Sequence, residues 1–189
     1  MAGSRISKPE PNEHDRYFST YIDRVQEGHL LDDLERQANE IAELCDGLSE
    51  AQGEFRYAPG KWSIKELLGH LIDTERVFGF RALWFARGGP AELPGFEQDD
   101  FVRVADFEGR SIESLIAEFV HLRRSTFDLL SSFRDAEWAR SGISSGVSLS
   151  VRAIGYILVG HVIHHQGVLE ERYLNRLAQQ CRRTASWKR

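Results

Sequence analysis

Seven histidines occur in the 189-residue chain, and three of them crowd into the stretch Gly160-His161-Val162-Ile163-His164-His165. On a helix, with ~100° per residue and Ile154 as zero, His161 and His165 fall ~20° either side of that line. They straddle the middle of an apolar stripe one turn apart, the spacing at which two imidazoles can chelate one ion. His164 lies ~80° off the line, toward the edge, and at i+3 from His161 it is a ligand candidate or a neighbour that serves the ligands. His70 sits on the inward face of an earlier segment, among Leu67, Leu71 and Thr74. Three inward imidazoles from two helices would make a His₃ site with coordination positions left for water or substrate. The competing reading is a set of hydrogen-bonded core histidines, since each buried imidazole brings nitrogens that need partners. Spacing alone leaves both readings standing, and it does not place His70 opposite His161 and His165. His14 and His29 read as surface groups, and His121 stands one step off the stripe of its segment.

Other groups near these histidines could take part in the chemistry. Asp73 follows His70 by three residues and is a candidate to orient an imidazole or contact a metal-bound water. Glu75 is expected to point further round and pair with Arg81 or another neighbour. Arg81 shares the inward face with His70 and reads either as a binder of anionic substrate or as the partner of an acid such as Glu170. Trp62, Phe78, Trp84 and Tyr156 can line a pocket, although aromatic residues at helical spacing also build cores. A three-histidine ion supports two chemistries: water activated for hydrolysis, or a substrate thiol held as thiolate for transfer.

The elements that must position these groups are helical. Leu30, Leu34, Ala38, Ile41, Cys45 and Leu48 recur at three and four, so a first helix is expected within residues 17–48, with Gly28 interrupting or kinking it. Ser63-Ile64-Lys65-Glu66 reads as a capping box that opens a second helix running to Phe85, stopped by Gly88-Gly89-Pro90. The segment from Gly88 to Arg110 is long for a bundle connection; it is a crossover that lets the second and third helices run parallel, or a lid. A third helix starts near Ser111 and carries Leu115, Phe119, Leu122, Thr126, Leu129 and Phe133. Residues 134–148 form a polar loop, and the fourth helix carries Ile154, Leu158, His161, His165, Val168 and Arg172. No alternating strand pattern of useful length competes. Four amphipathic helices without a sheet bury their stripes against one another, so the fold class is all-α.

Residues 1–16, with Pro9 and Pro11, are expected to have little fixed structure; 17–175 form the bundle, and 176–189 a basic tail. Net charge is -5, which argues against nucleic acid as a partner of the whole molecule. Arg172, Arg176, Arg182, Arg183, Lys188 and Arg189 cluster at the C-terminus and read as a solvated face. The chain contains two cysteines, Cys45 and Cys181, with no metal-binding or redox spacing. No apolar leader and no membrane-length apolar run occurs, so a cytoplasmic protein is expected.

The stretches RYAPGKWSIKELLGHLIDTERVFGFRALWFARG (56–88), LPGFEQDDF (93–101) and GHVIHHQGVLEERY (160–173) resemble the DinB/YfiT-like superfamily of metalloenzymes. The likeness runs from about Tyr17 to Tyr173. It implies an up-down-down-up four-helix bundle with a divalent metal on three histidines, which by position are His70, His161 and His165. Imidazole suits zinc, nickel, iron and copper alike, so the ligands do not fix the metal; zinc or nickel is expected, with iron or manganese as alternatives. The resemblance implies an enzyme acting on a small molecule, either a transferase using a low-molecular-weight thiol such as bacillithiol or mycothiol, or a hydrolase. A non-catalytic metal-binding protein acting through a partner or as a homodimer is the alternative.

Overall fold

The computed structural model describes residues 6–90 and 92–186. Its elements are α1 (Ser19–Ile22), α2 (Leu30–Leu44), α3 (Glu50–Gly53), α4 (Ile64–Ala86), α5 (Gln98–Val104), α6 (Ile112–Ser131), α7 (Asp135–Trp138), β1 (Ser141–Ser144), β2 (Val147–Ser150), α8 (Val151–Val168) and α9 (Asn175–Ser186). Between α8 and α9 the backbone makes a π-helical turn, Leu169–Leu174.

Three departures from the sequence expectation have local causes. The first helix is two: α1 already ends at Ile22, and the interruption expected at Gly28 is present, its φ of +85° letting α2 start afresh at Leu30. Residues 134–148 are not all loop. β1 pairs antiparallel with β2 through a tight turn in which Ser145 and Gly146 both have positive φ, the backbone that matches strand twist. Strands of four residues, rich in serine and glycine, are too short to show alternation. Third, the crossover after α4 contains α5 and joins the hairpin edge at Leu93, whose N–H donates to Ile143 O at 3.0 Å.

Cross-helix partners establish the directions. Glu75 with Arg123 and Gly79 with Thr126 advance together along α4 and α6, so these helices run parallel. Gln37 with Val159 and Glu40 with Gln166 do the same for α2 and α8. Trp62 meets Tyr173 just outside α4 and α8 while His70 meets His161 within them, the order of an antiparallel pair. The four long helices therefore go up, down, down and up, and the long crossover serves the parallel pair α4 and α6.

Burial follows most of the stripes read from sequence, but on α6 it passes through Arg123 and Leu130 where Leu122 and Leu129 were expected, and Arg172 at the end of the fourth stripe is exposed. Leu34, Ile41, Leu68, Leu115, Phe119 and Ile154 are fully enclosed. The core has two apolar clusters. One includes Ile22, Leu34, Phe85, Trp138 and Ile157, and the other Ile41, Leu67, Leu71, Phe119 and Leu169. Buried polar side chains lie within the same helices: Gln37, His70, Thr74, Glu75, Arg123 and His161.

The chain ends are more fixed than expected. Tyr156 is buried and its hydroxyl donates to Ile6 O at 2.9 Å, which ties the N-terminal segment to α8. Glu13 accepts from Ser150 Oγ at 2.6 Å and from Arg152 Nε at 3.1 Å. Residues 6–16 thus have a definite place, because a buried phenol and a half-buried guanidinium need those acceptors. Residues 1–5 lie outside the described residues. At the other end, helix α9 runs through the boundary that separated bundle from basic tail, and Arg176 Nη1 donates to Tyr57 O at 2.6 Å. Lys188 and Arg189 lie outside the described residues, as does the Arg183 side chain. No helix of the described residues is long and apolar enough to cross a membrane.

Candidate metal centre

Local sequence determines where each histidine stands. The Ser63 hydroxyl accepts from Glu66 N at 3.2 Å and the Glu66 carboxylate accepts from Ser63 N at 2.7 Å, the expected capping box. It starts α4 at Ile64 and brings His70 round to face α8 two turns later. Ser150 caps α8 in the same way, accepting from Ala153 N at 2.9 Å. His161 and His165 then follow on the face toward α4. Gly160 permits close approach on the adjoining side, where a methyl group at its Cα would stand 2.5 Å from the carbonyl carbon of Tyr21.

The structure brings His70, His161 and His165 together. Their exposures are 1%, 5% and 9%. His161 Nε2 lies 3.0 Å from His70 Nε2 and 3.1 Å from His165 Nε2, and one ligand nitrogen from each residue falls within 4.8 Å of the others. An Nε2 carries either one hydrogen or one lone pair, so it can complete only one good hydrogen bond. His161 Nε2 faces two such neighbours, and hydrogen bonding cannot satisfy both. A single cation accepting three lone pairs can. For metal–nitrogen bonds of ~2.1 Å, ligands at right angles stand ~3.0 Å apart, the scale of the two close separations.

Electrostatics point the same way. Burial, and then the charge of His164, pushes His70 down to about 4. Burial also holds His161 and His165 well below the ordinary range, with neighbouring histidines adding to the effect. The cluster is therefore neutral at neutral pH, the state in which imidazole binds metal. On the far side of the His70 ring, Thr74 Oγ1 lies 3.4 Å from Nδ1, and Trp62 covers the ring at a centroid distance of 4.7 Å. The Trp62 carbonyl in turn accepts from the Tyr173 hydroxyl at 2.7 Å. His165 Nδ1 is buried without a hydrogen-bond partner.

The remaining sequence candidates separate. His164 is half-buried, packed edge-on against His165 and Tyr21 at 4.9 and 5.7 Å, and stands outside the converging nitrogens. Asp73 lies ~60° round α4 from His70, toward α6, where it is 3.9 Å from Arg76; Thr74, not Asp73, meets the His70 ring. Glu75 pairs with Arg123 at 3.3 Å rather than with Arg81, because it faces α6 while Arg81 leans along α4. Tyr156 is a core residue that anchors Ile6 and does not line the cavity. Arg81 does line it. The cavity, ≈ 290 Å³, is walled by Tyr17, Tyr21, Thr74, Phe78, Arg81 and His161, with Phe96 and Asp99 from the crossover closing one side. The crossover is thus both a connection and a wall. Sequence reasoning did not single out Tyr17 or Tyr21, which it placed at the start of the first helix, nor Phe96 and Asp99 within the segment it read as a crossover or a lid. It also missed Arg123, fully buried one step off its stripe; only the acid facing it on α4 could have signalled that pair.

Fold and cluster define a class: a four-helix bundle with three buried imidazoles converging between two antiparallel helices. The sequence model of the DinB superfamily matches residues 33–169, a span that holds all three histidines. The chain belongs to that superfamily. It is similar to a Geobacillus thermodenitrificans (strain NG80-2) protein named "Putative metal-dependent hydrolase", with 24% identity over 123 residues, 63% of this chain and 68% of the relative. Among solved structures it is similar to YfiT from Bacillus subtilis, described as "a probable metal-dependent hydrolase with an unusual four-helix bundle topology". The TM-score is 0.67 at 15% identity, covering 93% of this chain and 95% of that one. At that identity the likeness is one of fold.

Proposed function

We propose that this protein is a metal-dependent enzyme of hydrolytic type, with His70, His161 and His165 holding one divalent ion beside a small-molecule cavity. The observation that carries this reading is the trio of neutral imidazoles whose nitrogens hydrogen bonding cannot satisfy, one of which, His161, lines the cavity. When bound, the ion would supply a Lewis acid that polarises a carbonyl or acidifies a water molecule. The chain's own residues do the rest. Trp62 and Thr74 hold the His70 ring in one orientation. Tyr21 packs edge-on against His161 at 5.2 Å and, with Phe78, shields the site from bulk water.

Cavity size favours hydrolysis over thiol transfer. A volume of ≈ 290 Å³ lies at the small end of ligand sites, which run from about 300 to 1,000 Å³. It suits one small molecule and a water better than two organic reactants held together. The relative's name also points to hydrolysis. The test is turnover of a panel of small esters and amides by protein loaded with zinc, nickel or manganese, run beside thiol addition to electrophiles. Hydrolysis that vanishes on metal removal and in His161→Ala supports the reading. Thiol-dependent turnover alone would replace hydrolysis with transfer, and no turnover in a loaded protein would favour the non-catalytic alternative.

A further inference from the structure

The cavity has a buried cation in its wall. Arg81 is 4% exposed, yet no carboxylate among the described residues pairs with it. The partner expected from sequence, Glu170, lies in a different depression with Arg24 and Glu40. Arg123, equally buried, has Glu75. Arg81 has a neutral acceptor instead: Nη2 donates to Pro94 O at 3.0 Å. A guanidinium carries five N–H donors, so a single carbonyl leaves most of the fork unused. Its plane is held by the Phe78 ring, with Cζ 4.8 Å from the centroid. Removing a charge from water without a counter-charge is costly, and the cavity is a side from which a counter-charge can reach the guanidinium.

We propose that Arg81 is the subsite for an oxyanion, carboxylate or phosphate, at the far end of the small molecule whose reactive group lies at the histidines. The reactive end rests on the function proposed above; the anionic end does not. The helix itself gives the scale. His70 and Arg81 are eleven residues apart on α4, ~16 Å along the axis at ~1.5 Å per residue. The arginine leans back toward the helix N-terminus onto Phe78, but the shorter His70 side chain leans the same way toward Trp62, so the net recovery is ~3 Å. About 13 Å remains, of which a metal–ligand bond and a hydrogen bond take ~5 Å, leaving a chain of several bonds between reactive group and anion.

The test uses calorimetric titration of metal-free and zinc-loaded protein with glutaramate, a monoanion, and glutaramide, its neutral counterpart. The wild-type protein should bind glutaramate about tenfold more tightly or better in both forms. Arg81→Gln should lose the preference while keeping its zinc content, and Arg81→Lys should keep part of it. Acetate and inorganic phosphate as competitors identify the oxyanion by which displaces glutaramate at the lower concentration. Equal binding of the two probes to wild-type protein overturns the proposal, whether or not the variants fold. So does a preference that survives in Arg81→Gln. A protein that takes up no zinc yet prefers glutaramate would refute the proposed function and leave the subsite intact; a zinc-loaded protein without the preference would do the reverse.

Discussion

Two glycines on α8 should respond to the same substitution with opposite signs. Both Gly160 and Gly167 lie within Val151–Val168, where replacing glycine by alanine ordinarily stabilises a helix by about 0.5–1 kcal/mol. At Gly167 the added methyl meets nothing within 4 Å, so the full gain is expected. At Gly160 it would stand 2.5 Å from the carbonyl carbon of Tyr21 and closer still to its oxygen. Backbone cannot rotate out of the way as a side-chain tip can, so α1 must retreat from α8. Overpacking of this kind costs about 1–3 kcal/mol, more than the propensity gain offsets. For a chain of this size each kcal/mol moves the midpoint by about 2–4 °C. Gly160→Ala is therefore expected to melt several degrees below the wild-type protein and Gly167→Ala a few degrees above it. Circular-dichroism melts of the metal-free proteins at pH 7.5 read both. Because Tyr21 packs on His161 at 5.2 Å, Gly160→Ala should also weaken metal uptake, and Gly167→Ala should not. A Gly160→Ala protein as stable as wild type would refute the close packing of α1 on α8.

Three further outcomes follow from the buried polar groups. His70 titrates at about 4 in the folded chain against an ordinary 6.5, so as pH falls the unfolded chain takes up the proton first. Stability of the metal-free protein should then drop between about pH 6.5 and 4, by about 3 kcal/mol from His70 alone. Urea denaturation across that range measures it, and a profile with no decline below pH 6.5 would contradict the burial. Arg123→Met should destabilise by about 3–5 kcal/mol through the unpaired Glu75, whereas Glu75→Leu combined with Arg123→Met should cost less than either alone. A double-mutant cycle with additive losses would show that the pair is not coupled. Tyr173→Phe removes the donor to the Trp62 carbonyl; about 1 kcal/mol of stability should go with it, together with a several-fold loss in metal affinity as Trp62 loosens over His70. Unchanged affinity by competitive chelator titration would separate Trp62 from the site.

Much of this was legible in the sequence because the deciding signals are local and periodic. The capping box at Ser63 and Glu66 marks the start of α4 within a residue, and that start determines which face His70 presents. The i, i+4 pair His161 and His165 could be assigned to one face for the same reason. What periodicity cannot show is which faces meet. The sequence leaves Glu75 with Arg81 or another neighbour, and only the packing shows that its partner is Arg123 of α6; Asp73, three residues from His70, faces Arg76 and leaves the imidazole to Thr74. Tyr156 stands open between pocket and core in the sequence, because nothing local reveals that the N-terminal segment crosses it. The hairpin at 141–150 is held by tertiary support from Leu93 rather than by strand propensity, so its residues carry little pattern of their own.

Metal content tests the central claim most directly: elemental analysis of the purified chain, after dialysis against zinc, nickel and manganese in turn, beside His70→Ala, His161→Ala, His165→Ala and His164→Ala. The expected result is one ion per wild-type chain, lost when His161 is removed, lost or sharply weakened when His70 or His165 is removed, and retained in His164→Ala. Full stoichiometry in the first three variants with loss in His164→Ala, or no ion in the wild-type protein under any loading, would contradict the site.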